Sequence, residues 1–272
     1  MKELKGEEFP PYHMNYRVID VTTSVVSTSF GALMNSQQYR SRTLVPQIRL
    51  GDEKLDNFKF NQMGAAMSQY QGPSSARLPL DEDNNEDAVR QAIWNETNNR
   101  YKFAVDMYQK TKAESSVNVE EEDKAPYFSE AKVEKYYEAP LPVEQTTIDL
   151  DKWATRLKEI SAVFKNQPGI MQGDAMIIYT VERRYFVNSE GSLVVQNRVA
   201  TRVMLMASLK AADGMELPLN RDYFAYTPDD LPDNDRMIAD ARDMIKRLLA
   251  LRDAPVADPY TGPAILSGPA SG

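Results

Sequence analysis

The chain has 272 residues, 42% of them hydrophobic and 26% charged, which is enough for one or two globular domains with a sizeable core. Its 32 Lys and Arg stand against 40 Asp and Glu, a net charge of -8, and no basic patch with interleaved aromatics compensates, which reads against direct nucleic-acid binding. No apolar run approaches the roughly 20 residues of a membrane span, and the absence of cysteine excludes disulfides, thiolate nucleophiles and Cys-ligated metals.

His13 is the only histidine, so a multi-histidine zinc site and a His–His acid–base pair are both out of reach within these residues. Met1 to Gly6 has the composition of a last helical turn, with Gly6 as its C-terminal cap. Pro10-Pro11 breaks it. His13 to Asp20 reads as extended, and a second run from Ser24 to Phe30 is dense in Val, Ser and Thr, which suit strands. Gly31 and Met34-Asn35 offer a turn. Arg40 to Leu50 follows as another strand, with Leu44, Ile48 and Leu50 on one parity and Gly51-Asp52 closing it.

Gly64 to Pro79 is rich in Gly, Ser, Gln and Pro and reads as a loop. Asp81, Glu82, Asp83, Glu86 and Asp87 then form an acidic cluster. A calcium loop would need glycine at its sixth place and glutamate at its twelfth; Glu86 and Ala92 stand there instead, so helix initiation is the better reading. A helix is expected from Glu86 to Glu114, with Ala88, Ala92, Ile93, Tyr101, Phe103, Ala104, Met107 and Tyr108 as its broad apolar stripe. Ser115 to Lys124 is polar and solvated. The Tyr127-Phe128 and Tyr136-Tyr137 pairs sit in extended connections marked by Pro126, Pro140 and Pro142, where aromatic pairs anchor loops to a core more often than they form ligand cages.

A second helix begins near Leu150. Leu150, Trp153, Leu157, Ile160 and Phe164 share one face, Asp149 is placed to cap the first turn, and Pro168-Gly169 ends it. From Asp174 to Tyr226 the pattern changes to period two. Ala175, Ile177, Tyr179, Val181, Tyr185 and Val187 alternate with other residues, and Leu193, Val195, Val199, Val203, Leu205, Ala207 and Leu209 do the same. Asn188-Ser189-Glu190-Gly191 separates these two runs. Asp213-Gly214 signals a hairpin into a third, in which Pro218 marks an edge. A third helix is expected from Pro232 to Arg252, with Ile238, Ala241, Ile245, Leu248 and Leu249 facing the core. The class is α+β: an antiparallel sheet with a long-stranded meander and helices packed on it. No phosphate-binding glycine motif occurs, and no pair of carboxylates is singled out by its spacing as an acid and a base.

Beyond the third helix the chain reads Asp253-Ala254-Pro255-Val256-Ala257-Asp258-Pro259-Tyr260-Thr261-Gly262-Pro263-Ala264-Ile265-Leu266. This resembles the segment entering the catalytic domain of the TldD/PmbA family of zinc metallopeptidases, also called modulators of DNA gyrase. The Tyr260-Thr261-Gly262-Pro263 step and the apolar residues after it carry the likeness, and Asn188-Ser189-Glu190-Gly191 between long strands is a second match. The resemblance covers Asp149 to Gly272 best and Tyr12 to Phe60 more loosely. It implies an N-terminal α+β domain at 1–252, and at 253–272 a linker and the first strand of a truncated C-terminal catalytic domain. It also implies zinc in the full-length protein, held by a His-Glu-x-x-x-His helix that these residues do not contain.

A peptide or unfolded-protein substrate, a homo- or heterodimer with a family member, and the cytoplasm as default compartment follow from the same likeness. Members without the zinc motif act as partners of those that have it, so a structural subunit is the alternative. No catalytic, substrate-binding or metal-ligating residue can be carried over. Beside Pro10-Pro11, His13 reads as a surface or hydrogen-bonded side chain in preference to a lone ligand.

Overall fold

A computed structural model of the chain describes residues 3–58, 75–80, 86–115, 126, 128–129, 131–255 and 259–265. Two strands of 19 residues open it, β1 (Pro11–Ser29) and β2 (Ala32–Leu50), joined by the two-residue turn Phe30-Gly31. Both turn residues have positive φ, 48° and 84°. That is the twist a two-residue hairpin needs, and glycine supplies the second position without strain. Phe30 adopts it against its preference. Its N–H donates to the Gly173 carbonyl at 2.9 Å, and its ring packs on the main core. The two runs read separately as His13–Asp20 and Ser24–Phe30 are therefore one strand. Met34-Asn35 lies inside β2, and the turn falls at Phe30-Gly31. Val21, Thr22 and Thr23 between the runs are β-branched, so nothing in them interrupts an extended backbone.

After the two-residue strand β3 (Ala76–Arg77), helix α1 runs from Glu86 to Ser115 with Glu86 and Asp87 in its first turn. Asp81, Glu82, Asp83, residues 64–74 of the expected loop, 116–124, Tyr127, 256–258 and 266–272 lie outside the described residues. The first residues form a single 3-10 turn, Glu3–Gly6. Tyr136-Tyr137 belongs to a short strand, β4 (Lys135–Tyr137), and the two rings are 51% and 66% exposed, so this pair anchors no loop to the core. Helix α2 (Leu150–Ala162) is capped as expected, the Asp149 carboxylate accepting from the Lys152 N–H.

The meander follows as β5 (Ile170–Asn188), β6 (Leu193–Lys210) and β7 (Glu216–Ala225), and helix α3 (Asn234–Arg252) closes the described fold with Asp233 as its cap. Pro259–Ile265 forms no strand.

The sheet runs β3-β2-β1-β5-β6, and the far edge of β6 is shared. β4 pairs parallel with Leu193–Val195, and β7 pairs antiparallel with Thr201–Lys210. Strand alternation sends the even residues of β1, the even residues of β2 from Ser36 onward and the odd residues of β5, β6 and β7 to one face; a bulge at Met34 puts Leu33, which pairs with Thr28, on that face as well. At one end of that face Val26, Ile177, Val203, Leu205 and Leu209 pack under Leu157 and Ile160 of α2, Phe164 just beyond it, and Met237, Ala241 and Leu248 of α3. At the other end Met14, Ile48 and Leu50 pack under Tyr101 and Ala104 of α1. One sheet thus carries two apolar clusters, and the strip between them is polar.

Candidate functional site

That strip is set by register. Arg42 of β2, Asp20 of β1, Arg183 of β5 and Asn197 of β6 lie directly opposite one another in a row. Asp20 is 7% exposed and accepts from Arg40 Nε at 2.8 Å and from Arg42 Nη2 at 2.7 Å. Burial alone would raise its pKa. The hydrogen bonds and charges of the two guanidinium groups outweigh that and hold it below the usual carboxylate value.

Arg183 has a different role. It donates to Asn197 Oδ1 at 2.9 Å, to the Glu138 carbonyl at 3.0 Å and to the Tyr185 hydroxyl at 3.0 Å, and lies over the rings of Tyr137 and Tyr185. The Glu138 carboxylate accepts from the Asn197 N–H and the Tyr136 hydroxyl, each at 2.6 Å. These bonds tie the segment after β4 across the end of the strip.

The same face carries exposed apolar side chains at this end. Tyr137 is 66% exposed, Leu193 46%, Val187 40% and Tyr185 36%, all on the helix-bearing side of the sheet by strand parity. Among the described residues α1 packs on β2 and β3, α2 chiefly on β1 and β5, and α3 on β6 and β7, with no helix over β4. The result is an aromatic and aliphatic surface beside a fixed guanidinium group. It suits an extended peptide chemically: apolar side chains can rest on the rings, and Arg183 can face a carbonyl or carboxylate.

A second assembly forms where β1 enters the sheet. His13 is 4% exposed; its ring lies tilted against Phe128 with centroids 4.5 Å apart, and its Nδ1 lies 3.9 Å from a Glu190 carboxylate oxygen. The expectation of a surface or hydrogen-bonded histidine holds only in that His13 has a polar neighbour, because Phe128 and the β5–β6 turn cover it. Arg49 forms an ion pair with the fully buried Asp56 and lies over the rings of Phe58 and Phe128, while Tyr12 donates to Asp56 at 2.9 Å. Burial and the bond to Asp56 push the Tyr12 hydroxyl well up.

Asn188-Ser189-Glu190-Gly191 docks onto this corner. The Ser189 N–H donates to the Met14 carbonyl at 2.8 Å, and the Met14 N–H returns a bond to Ser189 Oγ at 3.1 Å. Asn188 accepts from the Ser192 N–H, and Gly191 sits at φ 104°, which only glycine adopts without strain. These bonds hold the 188–191 turn against the start of β1.

The remaining residues singled out from the sequence stay apart. Glu86 and Asp87 lie on the exposed start of α1, and Tyr260 packs on Gly262 of its own segment. Among the described residues no three His, Cys, Asp or Glu converge in a way that could hold a metal ion. A groove of about 600 Å3 between α2 and α3 is lined by Lys165, Arg242 and Lys246 over Ile245 and Leu249, and bears no carboxylate. Sequence reasoning missed Arg183 and the Asp20 row, since their only local mark is a charged residue on a buried parity. Arg183 interrupts an otherwise apolar alternation from Ala175 to Val187, and Asp20 follows Met14, Tyr16 and Val18 on its face of β1.

Among the described residues these features form an α+β sheet with exposed apolar side chains at its β4 end. No family model matches the chain, and no curated protein does. Solved structures do. A proposed modulator of DNA gyrase from Bacteroides thetaiotaomicron aligns with TM-score 0.50 and 10% identity over 88% of this chain and 46% of its own. TldE from Thermococcus kodakarensis aligns with TM-score 0.47 and 15% identity over 88% and 43%, and a proposed modulator of a DNA gyrase from Thermotoga maritima with 0.47 and 14% over 86% and 44%. The first likeness is one of fold. The chain spans less than half the length of each of these structures.

Proposed function

We propose that the chain is the non-catalytic, groove-framing portion of a TldD/PmbA-type zinc peptidase, whose intact form cleaves peptides or unfolded segments as a homo- or heterodimer. The observation that carries this reading is the uncovered surface of Tyr137, Tyr185, Val187 and Leu193 beside Arg183, on a sheet whose fold is that of a proposed gyrase modulator. The Asn188–Gly191 turn and the Tyr260–Pro263 step, which resemble the family, add support from the sequence.

Zinc does not fit the described residues. The one histidine is buried against Phe128, and no cluster of three ligands forms. The metal and its chemistry are therefore assigned to the remainder of the intact protein, and the role of this chain is to bind and orient an extended substrate.

The test compares two samples. The 272-residue chain is expected to hydrolyse neither casein nor unstructured peptides, with or without added Zn2+. The intact gene product is expected to contain stoichiometric zinc and to lose its cleavage activity to a chelator. Tyr137→Ala with Tyr185→Ala in the intact protein should raise KM several-fold with kcat preserved, because binding contacts are lost and no reacting group is. Hydrolysis by the isolated chain would overturn the non-catalytic role. A zinc-free, chelator-insensitive intact protein would leave a partner subunit in place of a peptidase.

A further inference from the structure

The groove between the end of α2 and the middle of α3 carries charges that neither helix needs. It lies where Gly31 meets Ala162 and Gly173 meets Phe164, at the other end of the sheet from Tyr137 and Leu193. Buried Ile245 and half-buried Val163 and Leu249 form an apolar floor, and the exposed Lys165, Arg242 and Lys246 stand along it.

The five cations of α3 fall into two sets. Arg236, Arg247 and Arg252 pair with the carboxylates of Asp240, Asp243 and Asp253 in turn. Arg242 and Lys246, the two that line the groove, have no ion pair among the described residues, and neither has Lys165. Outside the groove the helix neutralises its cations; inside it does not. Arg242 and Lys246 also stand one turn apart, where like charges destabilise a helix. The helix dipole explains Lys165, which follows the C-terminus of α2, but it acts over the last turn only, and Arg242 and Lys246 both precede the last turn of α3.

A cleft of one sign with apolar walls focuses its field on an occupant of the opposite sign. The rest of the chain, with a net charge of -8, repels that occupant.

We propose that this groove docks an acidic peptide segment of a partner protein, its apolar side chains on Val163, Ile245 and Leu249 and its carboxylates on Lys165, Arg242 and Lys246. Shape selects a peptide among the anions. The groove holds about 600 Å3 and is open to solvent, whereas a small-molecule ligand is ordinarily almost wholly enclosed. Its floor is recessed and apolar, which a flat bilayer or a phosphate backbone would leave unused. The Cβ atoms of Arg242 and Lys246 are about 6 Å apart by helix geometry, a spacing that two carboxylates match one helical turn apart or two residues apart along an extended chain. The site goes beyond the peptidase reading and needs neither zinc nor the β4-end surface.

The probe is a fluorescein-labelled nonapeptide, Glu-Leu-Leu-Ala-Glu-Leu-Leu-Ala-Glu, titrated with the 272-residue chain and followed by anisotropy. Exposed ion pairs are individually weak, so a Kd in the tens of micromolar is expected in about 50 mM salt, rising several-fold in about 300 mM. Arg242→Glu with Lys246→Glu should weaken binding about tenfold or more. Arg236→Glu with Arg247→Glu makes the same change in net charge on the same helix outside the groove, and should weaken it less than about twofold. A peptide with serine in place of leucine should lose about tenfold through the floor. Circular dichroism should be unchanged in both double variants, whose altered side chains are all exposed.

Equal losses in the two double variants, full binding by the serine peptide, or no binding at about 1 mM chain would each overturn the proposal. Capture of vesicles containing about 30% phosphatidylserine, lost in the groove variant, would give the groove to an anionic membrane instead. Self-association of the chain that disappears in the same variant would give it to a second copy. Zinc content and cleavage are read separately, so failure here leaves the peptidase reading where it stands.

Discussion

At the β1 entrance, His13 is surrounded by groups of opposing effect. Burial against Phe128 pulls its pKa below the ordinary histidine value; Glu190 pulls upward and Arg49 downward, and burial wins. A folded state that favours the neutral ring binds fewer protons than the unfolded chain. The contribution is therefore fully present above the unfolded pKa of about 6.5 and is lost as pH falls from there through the lower folded value. Wild type should lose more stability between pH 7.5 and pH 5.5 than His13→Gln, measured as urea midpoints. Parallel slopes for the two would remove His13 as the source. Asp20 has the mirror arrangement: its depressed carboxyl contributes above about pH 4 and fails only in stronger acid. Arg40 is 37% exposed, so solvent screens part of that pair.

Among the helices, α2 joins the most parts. Its apolar stripe meets β1 and β5, its Ser161 hydroxyl accepts from the Gly31 N–H at 3.0 Å, and its Leu157 carbonyl accepts from Thr28 Oγ1 at 2.9 Å. Leu157 is fully buried between the sheet and α3. Leu157→Ala should cost about 3 kcal/mol, the lost transfer energy plus a cavity that the long strands cannot close. Asp149→Ala removes one capping bond at an exposed helix start and should cost about 1 kcal/mol. Chemical denaturation of the two variants checks the ranking, and equal losses would mean that α2 is held by its cap as much as by its core face.

For the whole molecule, charge decides what the sheet can meet. A net charge of -8 repels a phosphate backbone, and the Lys165, Arg242 and Lys246 groove is too small a basic area to reverse that. No shift of duplex DNA is expected at micromolar chain in 50 mM salt, and a salt-dependent shift there would reverse the conclusion.

How much of this was legible follows the range of the interactions. Period-two alternation from Ala175 to Leu209 and the 3–4 spacing from Leu150 to Phe164 are local consequences of which faces are buried, so strands, helices, caps and the α+β class can be read residue by residue. Pro218 marked the edge correctly, since among the described residues β7 pairs only with β6. The β1–β2 turn was placed less well, because Phe30 at positive φ is offset by a bond to Gly173 far along the chain.

Residue order and composition alone thus determined an acidic, cysteine-free α+β chain with three helices, two of them strongly amphipathic, and a long-stranded meander. Only the tertiary structure decided that Asp20, Arg42, Arg183 and Asn197 share one row and that His13 lies under the 188–191 turn. Each of these depends on strand register. A register is the joint solution of many side chains seeking one buried face, and no short window of sequence contains it.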